Sequence, residues 1–300
     1  MDKKKQMQYV DDISDRVNFR TEIRENGSNC WVARLILNQK NYSFSPQIAA
    51  QIISNIVSHW PNQYQVDTFL TFGGFIQFNW PNNITKQNIG NPIYPRTSVL
   101  NLLLGNVDCI IRNNFIALLN TQTLSNYFNY LTVGIDGYDP NSNLHIELVY
   151  LIETSNMQIV NRTGKSYPLS SQQRGLIRIT NLNSHFYQTK MILGCHDLKV
   201  FDNRSLALAT NWKANTINQM RNLFQNSNIA LVLHHPHFID TYRTFWNAII
   251  TLTNLRPNVS FVSAFRYYNM LTSSSSCRQS LQQVLTKTYH NVNCIDFIMQ

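Results

Sequence analysis

The sequence predicts an α/β protein. It has a parallel or mixed central sheet flanked by helices in its C-terminal half, and a smaller α/β region before it. From about residue 128 onward, short apolar runs of strand length alternate with stretches of helical period, the pattern of helices packed on a sheet. Hydrophobic residues are 43% of the 300, enough to bury a sizeable core. The chain divides into a flexible N-terminal segment 1–28 closing at the Asn26-Gly27 turn signal, an α/β region 29–127, and an α/β domain 128–300 carrying the candidate site.

The elements follow in order. Trp31–Leu37 reads as a strand. Ser45 caps a helix with Pro46 in its first turn and apolar residues at Ile48, Ile52, Ile53, Ile56, Val57 and Trp60, ending at Pro61. Residues 68–80, aromatic around Gly73-Gly74, form a hairpin or a buried segment. Residues 81–97 hold three prolines and read as a long loop. Ser98–Leu119 is one helix or two. Leu131–Ile135 is a strand. His145–Glu153 and Met157–Arg162 pair as a hairpin around Thr154-Ser155-Asn156, and Leu176–Ile179 adds a strand. Strands at Met191–Leu193, Ile229–Leu233, Val259–Ala264 and Cys294–Met299 then alternate with helices at Trp212–Phe224, Thr241–Leu255 and Arg278–Tyr289, the last behind a Ser273–Ser276 cap.

Composition narrows the class. No apolar run approaches membrane-helix length, and no apolar h-region follows Met1-Asp2-Lys3-Lys4-Lys5-Gln6, so neither a membrane span nor a secretory signal is expected. The five cysteines (Cys30, Cys109, Cys195, Cys277, Cys294) are scattered and include no CxxC pair. That fits a reducing, cytoplasmic location and argues against a cysteine zinc cluster. The formal charge is +9, and only four acids are glutamates: Glu22, Glu25, Glu147 and Glu153. A positive field favours an anionic small molecule or nucleic acid as partner, with no membrane. Region 29–127 is free to supply a homo-oligomer surface or a nucleic-acid face.

Open α/β sheets gather their sites beyond the C-terminal ends of their strands. Four such ends carry polar residues: Gly134-Ile135-Asp136-Gly137-Tyr138, Gly194-Cys195-His196-Asp197, His234-His235-Pro236-His237 with Asp240 behind it, and Ser263-Ala264-Phe265-Arg266. Gly134 and Gly137 would let backbone approach a ligand. Imidazole and carboxylate groups meeting at one sheet end hold divalent metals, so Asp136, His196, Asp197, His234 and His237 form the expected metal set. A metal there would activate water on a phosphoryl or carbonyl group, with Asp136, His196 and His237 as catalytic residues. Arg266, Arg204 and Tyr138 would bind the ligand, the arginine fork matching phosphate. Each has a structural alternative: a satisfied core histidine, a helix-start Asp197, a turn aspartate at 136, a solvated arginine. His234 and His235, being consecutive, point to opposite faces if the strand continues.

Gly194-Cys195-His196-Asp197 resembles the Gly-Asn-His-Asp strand end of calcineurin-like metallophosphatases, and His235-Pro236-His237 is similar to their His-x-His. The early Asp-x-His and the Gly-Asp-x-x-Asp of that family are absent, and Cys195 replaces the asparagine. Asp136 or Asp139 followed by Glu147 resembles the acidic part of the restriction-nuclease core. Val149 stands where its lysine belongs, leaving Lys165 or Lys190 to substitute if the fold brings one near. A thiol reading also stands: His234 or His237 could reach Cys195 from a neighbouring strand, against the alternative of an inert buried cysteine. Walker, Gly-x-Gly-x-x-Gly and serine-elbow signatures are absent, excluding P-loop ATPases, Rossmann dehydrogenases and α/β-hydrolase esterases. The leading expectation is a hydrolase dependent on a divalent metal and acting on a phosphorylated, nucleotide or nucleic-acid substrate. Its rivals are a non-catalytic nucleotide or anion-sensing module and a structural assembly protein.

Overall fold

The protein was analysed as a computed structural model describing residues 8–10, 18–38, 42–239, 242–267 and 280–300. Asp240, the Ser273–Ser276 cap, Cys277 and the Lys3–Lys5 start lie outside the described residues.

The strands and helices that build the fold are β1 (Phe19–Arg24), β2 (Trp31–Leu37), α1 (Pro46–Ser58), β3 (Val66–Leu70), β4 (Ile76–Asn79), α2 (Thr97–Asn114), β5 (Phe128–Tyr138), β6 (His145–Glu153), β7 (Gln158–Gly164), β8 (Lys190–Gly194), α3 (Asn211–Asn226), β9 (Leu231–His235), α4 (Tyr242–Leu255), β10 (Ser260–Ser263), α5 (Leu281–Thr286) and β11 (Asn293–Met299). They form two sheets. The larger is mixed and runs β7-β6-β5-β3-β2-β11-β1, with β4 continuing β3's edge of β5 toward short strands at Tyr42–Phe44 and Gln8–Val10. The smaller has a parallel core of β8-β9-β10, flanked antiparallel by Phe186–Tyr187 and Tyr289–His290.

The period-two alternation of each strand makes this a four-layer molecule. On β6, Ile146, Leu148, Tyr150 and Ile152 join Ile52, Ile53 and Ile56 of α1 and Leu103, Val107 and Ile111 of α2 in the largest core. The opposite face of β6 sends Val149 and Leu151 against Ile192, Leu231, Leu233 and Val262 of the second sheet. That sheet's other face packs Met191, Leu193, Val232 and Phe261 under α3 and α4. The order is therefore helices, sheet, sheet, helices. Each of these fully buried side chains contributes about 1.5–3 kcal/mol relative to exposure. Ser45 caps α1 as its sequence predicts, accepting from the Ile48 N–H at 3.3 Å. Among the described residues no helix is long and apolar enough to cross a membrane.

The α/β class and the helix-flanked mixed sheet hold. Several local expectations do not. Residues 19–24, assigned on sequence to a flexible segment, form β1 and pair with β11 from Phe19 to Arg24. Of the two readings of the aromatic stretch, the buried segment holds and the hairpin does not: β3 and β4 both run parallel to β5, so they are one edge interrupted by Thr71–Phe75. Phe69, Phe72, Phe75 and Phe78 all enter the core, which holds that interruption in place. The 81–97 loop is anchored by buried Ile84, Ile89 and Ile93 and contains a short helix at Lys86–Ile89. Leu176–Ile179 makes only an isolated bridge to His145. Of the predicted last helix, the described part is the single turn and a half of α5.

Candidate active site

The site lies in the layer between the sheets. Asp136 and Glu147 are register partners on the antiparallel β5–β6 pair. Both sit on the inner strand faces, in phase with Gly134 and Val149, so both carboxylates point toward the second sheet. Lys165 follows directly on β7. Its backbone N–H donates to the Glu147 carbonyl at 3.0 Å, and its fully buried Nζ donates to Glu147 Oε1 at 3.0 Å and Oε2 at 2.8 Å. Burial disfavours both charges, yet the pairing prevails. Lys165 is held above its ordinary value chiefly by Glu147, and Lys165, His237 and His145 bring Glu147 down to about 2.

Cys195 sits where β8 ends. The next residue, His196, takes bridge-region angles (φ −99°, ψ 0°) and starts the 3₁₀ turn Asp197–Phe201. The turn is closed by Asp197, whose buried carboxylate accepts from the N–H groups of Gly194 (3.1 Å), Ser166 (2.9 Å) and Tyr167 (2.8 Å). One side chain thus ties the segment after Lys165 to the elbow carrying Cys195. A Cβ at Gly194 would stand 3.0 Å from Asp197 Oδ2, crowding that carboxylate out of its seat.

The third side arrives from β9. His237 follows Pro236, whose carbonyl accepts from the Gly73 N–H at 3.2 Å, while the His237 carbonyl accepts from the Arg266 N–H at 3.2 Å. The interruption between β3 and β4 therefore holds the loop that carries His237. Its Nε2 pairs with Asp136 Oδ2 at 2.7 Å and its Nδ1 is 3.8 Å from Glu147 Oε2. Tyr138 donates to the same Asp136 oxygen at 3.3 Å, and burial with the nearby Asp136 and Glu147 charges pushes its hydroxyl well above the ordinary phenol value.

These pieces converge on sulfur. Ligand atoms of Glu147, Cys195 and His237 all lie within 4.8 Å of one another. Burial alone would raise the Cys195 thiol, but the charges of His196 and Lys165, with hydrogen bonds to His196 and His237, hold it well below the ordinary value. Burial would neutralise His237, but Asp136 and Glu147 raise it to about 10, making it an imidazolium. The cluster is a partly buried thiol beside two cations, Lys165 and His237, each backed by a carboxylate. A cavity of about 40 Å³ opens at Cys195 and His196, bounded by Leu198, Pro236, Phe238 and Phe245.

The expected metal set does not assemble. Asp197 spends its carboxylate on three backbone N–H groups. His234 uses both ring nitrogens, on the Ser263 hydroxyl (2.9 Å) and the Cys195 carbonyl (3.0 Å), and burial lowers it to about 3. His196 borders the cavity apart from the Asp136–His237 pair. Only Asp136 and His237 of the five meet, and they meet as an ion pair. The cluster that does form, Glu147 with Cys195 and His237, already holds a cation, the Lys165 ammonium on both Glu147 oxygens. This corrects the divalent-metal expectation.

The ligand-binding set fails for a similar reason. Arg266 is buried, donating from Nη2 to the Gly73 and Gly74 carbonyls at 2.9 Å each and stacking on Phe72 at 5.1 Å. It is a brace for the loop under His237. Arg204 is exposed on a short helix at Asn203–Leu208, and Tyr138 is turned to Asp136. Gly134 and Gly137 make room for the Phe72 carbonyl and the Phe78 ring, not for a ligand. His234 and His235 do point to opposite faces: His234 packs on Phe245 and Phe261, while His235 Nδ1 bonds the Thr71 carbonyl at 2.7 Å across the sheets. The fold brings Lys165, not Lys190, to Glu147, but as a saturated ion pair that leaves no carboxylate for a nuclease metal.

Sequence reasoning left Cys195, Glu147 and Lys165 out of its principal set. One signal was there for Glu147, a scarce glutamate inside an otherwise apolar strand.

No protein-family model matches the chain, and no curated protein matches it. Solved structures do. The chain is similar to an amidase from Nesterenkonia sp. at 10% identity, covering 81% of this chain and 78% of that one, with a TM-score of 0.41. A cysteine-to-serine mutant of the Nesterenkonia AN1 amidase, of the nitrilase superfamily, matches at 11% identity over 80% and 78% of the two chains, with a TM-score of 0.45. A glutamate-to-glutamine mutant of the amidase, with the acetamide moiety of fluoroacetamide added covalently at its active-site cysteine, matches at 11% identity over 82% and 79%, with a TM-score of 0.42. Likeness this distant carries no argument about residues here. What overturns the phosphoryl expectation is the site itself, a thiol beside a saturated Glu147–Lys165 pair where a divalent-metal ligand set was expected. The nucleotide, nucleic-acid and metal-dependent readings are set aside.

Proposed function

We propose that this chain is a cysteine-dependent hydrolase of small amides. The observation carrying the reading is the partly accessible Cys195 thiol, at a cavity mouth and within 4.8 Å of ligand atoms of His237 and of the Glu147 that anchors Lys165. A thiolate is the reactive form of cysteine, and an electropositive, partly accessible setting distinguishes a nucleophile from an inert core thiol.

In the reaction, the Cys195 sulfur attacks the amide carbonyl carbon and negative charge moves to the carbonyl oxygen. The Lys165 ammonium, fixed by both Glu147 oxygens, is the preorganised positive charge facing that oxygen. The C–N bond then breaks, leaving an acyl-thioester on Cys195. Water attacks the thioester carbonyl and the sulfur departs as thiolate. Leu198, Pro236, Phe238 and Phe245 would receive an apolar acyl group.

The test is ammonia release from a panel of short aliphatic and aryl amides by the purified full chain, with the acyl-thioester trapped by acid quench and weighed by intact-mass spectrometry. Turnover with a thioester mapped to Cys195 supports the reading. A wild-type protein that releases no ammonia and forms no adduct with any amide sinks it.

A further inference from the structure

We propose that His237, gripped by Asp136, is the proton carrier of this site: its ring meets the Cys195 sulfur and delivers a proton to the departing nitrogen. The inference rests on Cys195 being the nucleophile, and it assigns the proton step which that reading leaves open.

The geometry favours His237 over its neighbours. A proton carrier must reach both sulfur and leaving group and be held in one orientation. His237 Nε2 is fixed on Asp136 Oδ2 at 2.7 Å, which leaves Nδ1 for the Cys195 side. Asp136 is itself 1% exposed and steadied by the Tyr138 hydroxyl. The loop is pinned at Pro236 and His237 by the Gly73 and Arg266 N–H groups. Lys165 is also close to the thiol, but two hydrogen bonds to Glu147 keep its proton, and the neighbouring His196 has no hydrogen-bond partner at Nδ1 to hold its ring in one orientation. The titratable and charged groups around the ring are Asp136 and Tyr138 of β5, Glu147 and His145 of β6, Lys165 after β7, Cys195 and His196 after β8, and Arg266 after β10.

The step balances. Thiolate, amide and imidazolium give acyl-thioester, amine and neutral imidazole, the Nδ1 proton going to nitrogen as the C–N bond breaks. In the second half, water gives its hydroxyl to the acyl carbon and its proton to the imidazole. Carboxylic acid leaves, and thiolate and imidazolium are restored. Acylating the sulfur also removes one negative charge facing the ring, so the proton is released when nitrogen needs it. Asp136 touches no reacting atom and is a positioning residue.

Two measurements on wild type, His237→Gln and Asp136→Asn test this, with folding checked by circular dichroism. The first is the iodoacetamide alkylation rate of Cys195 from pH 5 to 10, read by peptide mass. Wild type should stay reactive at pH 6. His237→Gln should lose reactivity there and move only part of the way toward the ordinary thiol range near about 8.5, because the charges of His196 and Lys165 stay beside the sulfur, and Asp136→Asn should shift less, in the same direction. A His237→Gln profile superimposing on wild type overturns the proposal. The second compares an amide with p-nitrophenyl acetate at pH 9, since nitrophenolate departs without a proton. His237→Gln should lose at least a hundredfold on the amide and far less on the ester; equal losses overturn proton delivery. A wild type that takes the ester and no amide overturns the amide reading, while the alkylation profiles still judge the Cys195–His237 partnership separately.

Discussion

Two buried clusters between the sheets use the same three kinds of group, and they do opposite things to a thiol. At one, Cys195 adjoins Glu147, Lys165 and His237. At the other, Cys294 on β11 donates to Asp296 Oδ1 at 3.2 Å, and Asp296 is paired with Arg34 at 2.6 Å and Arg24 at 2.7 Å. Burial pushes both thiols up. For Cys294 the neighbouring Asp296 charge pushes it further, well above the ordinary value. For Cys195 the facing charges are cations and the result reverses. Arg34 and Arg24 also act on Cys294 and lower it, but by less than burial and Asp296 raise it, and the other donors of Arg34 go to the Ser263 carbonyl, the Thr288 hydroxyl and the Leu285 carbonyl. A thiol, an acid and a base in one dry space do not make a nucleophile. What decides is which charge the sulfur meets.

The largest expected difference is in reactivity. Iodoacetamide at pH 7 should modify Cys195 at least on the order of 100-fold faster than Cys294, since the thiolate is the reacting form. Cys195→Ala should lower amide turnover on the order of 10³-fold or more, while Cys294→Ala leaves it unchanged. Peptide mapping and ammonia release check both. Equal labelling of the two cysteines would break the comparison.

Stability should rank the clusters the other way. Removing one partner of a buried ion pair costs about 3–5 kcal/mol, because the other charge is left uncompensated. Arg34→Met leaves Asp296 with Arg24 at 2.7 Å, but it also removes the donor to the buried Ser263 carbonyl and Thr288 hydroxyl, and should fall in that range by urea unfolding. Lys165→Met should cost less, because the imidazolium of His237 still faces Glu147 from 3.8 Å. A greater loss from Lys165→Met than from Arg34→Met would show that the site is held together by the Glu147 pair alone.

The difference in what could be read beforehand has a physical cause. Strands, helices and the Ser45 cap were legible because period and capping are local. Asp136 and His237 were legible because each is a polar residue just after a short apolar run. Their meeting was not, since it depends on β5 facing β9 across two sheets. The Glu147–Lys165 pair depends on the β6–β7 register, and β11 slots between β1 and β2 some 260 residues away along the chain. Arg266 shows the converse error: a basic residue at a strand end reads as an anion site, yet two backbone carbonyls claim it.

pH sharpens the comparison further. His237 is raised from 6.5 to about 10, so its stabilisation is full below pH 6.5 and lost as pH rises toward 10. Cys195 is depressed, so its contribution grows with pH below the ordinary thiol value of 9.0 and opposes that loss. Glu147, lowered from 4.5 to about 2, contributes above pH 4.5 and loses its contribution as pH falls toward 2. Unfolding free energy of the wild type should therefore drop below pH 4.5 and stay nearly level from 6.5 to 9. In Cys195→Ala the opposing term is gone, and stability should fall over that upper range by at most about 1.4 kcal/mol per pH unit, the one-proton limit. An equally flat Cys195→Ala curve would mean that His237 is not a cation.

The smallest expected effect tests how finely the thiol site is tuned. Tyr138 donates to Asp136 Oδ2 at 3.3 Å, a long bond to an oxygen already held by His237 at 2.7 Å. Its ring stacks on His145 with centroids 5.6 Å apart, a contact phenylalanine would keep. Tyr138→Phe should therefore cost about 0.5–1.5 kcal/mol in urea unfolding, the worth of one hydrogen bond. Losing that donor leaves Asp136 a stronger acceptor for His237, so the Cys195 alkylation profile should hold its place or move slightly to lower pH. A shift to higher pH would mean that Tyr138 orients Asp136 and so belongs to the support of the imidazole. In the Cys294 cluster the corresponding support goes to the cation, with Arg34 fixed by the Ser263 and Leu285 carbonyls and the Thr288 hydroxyl.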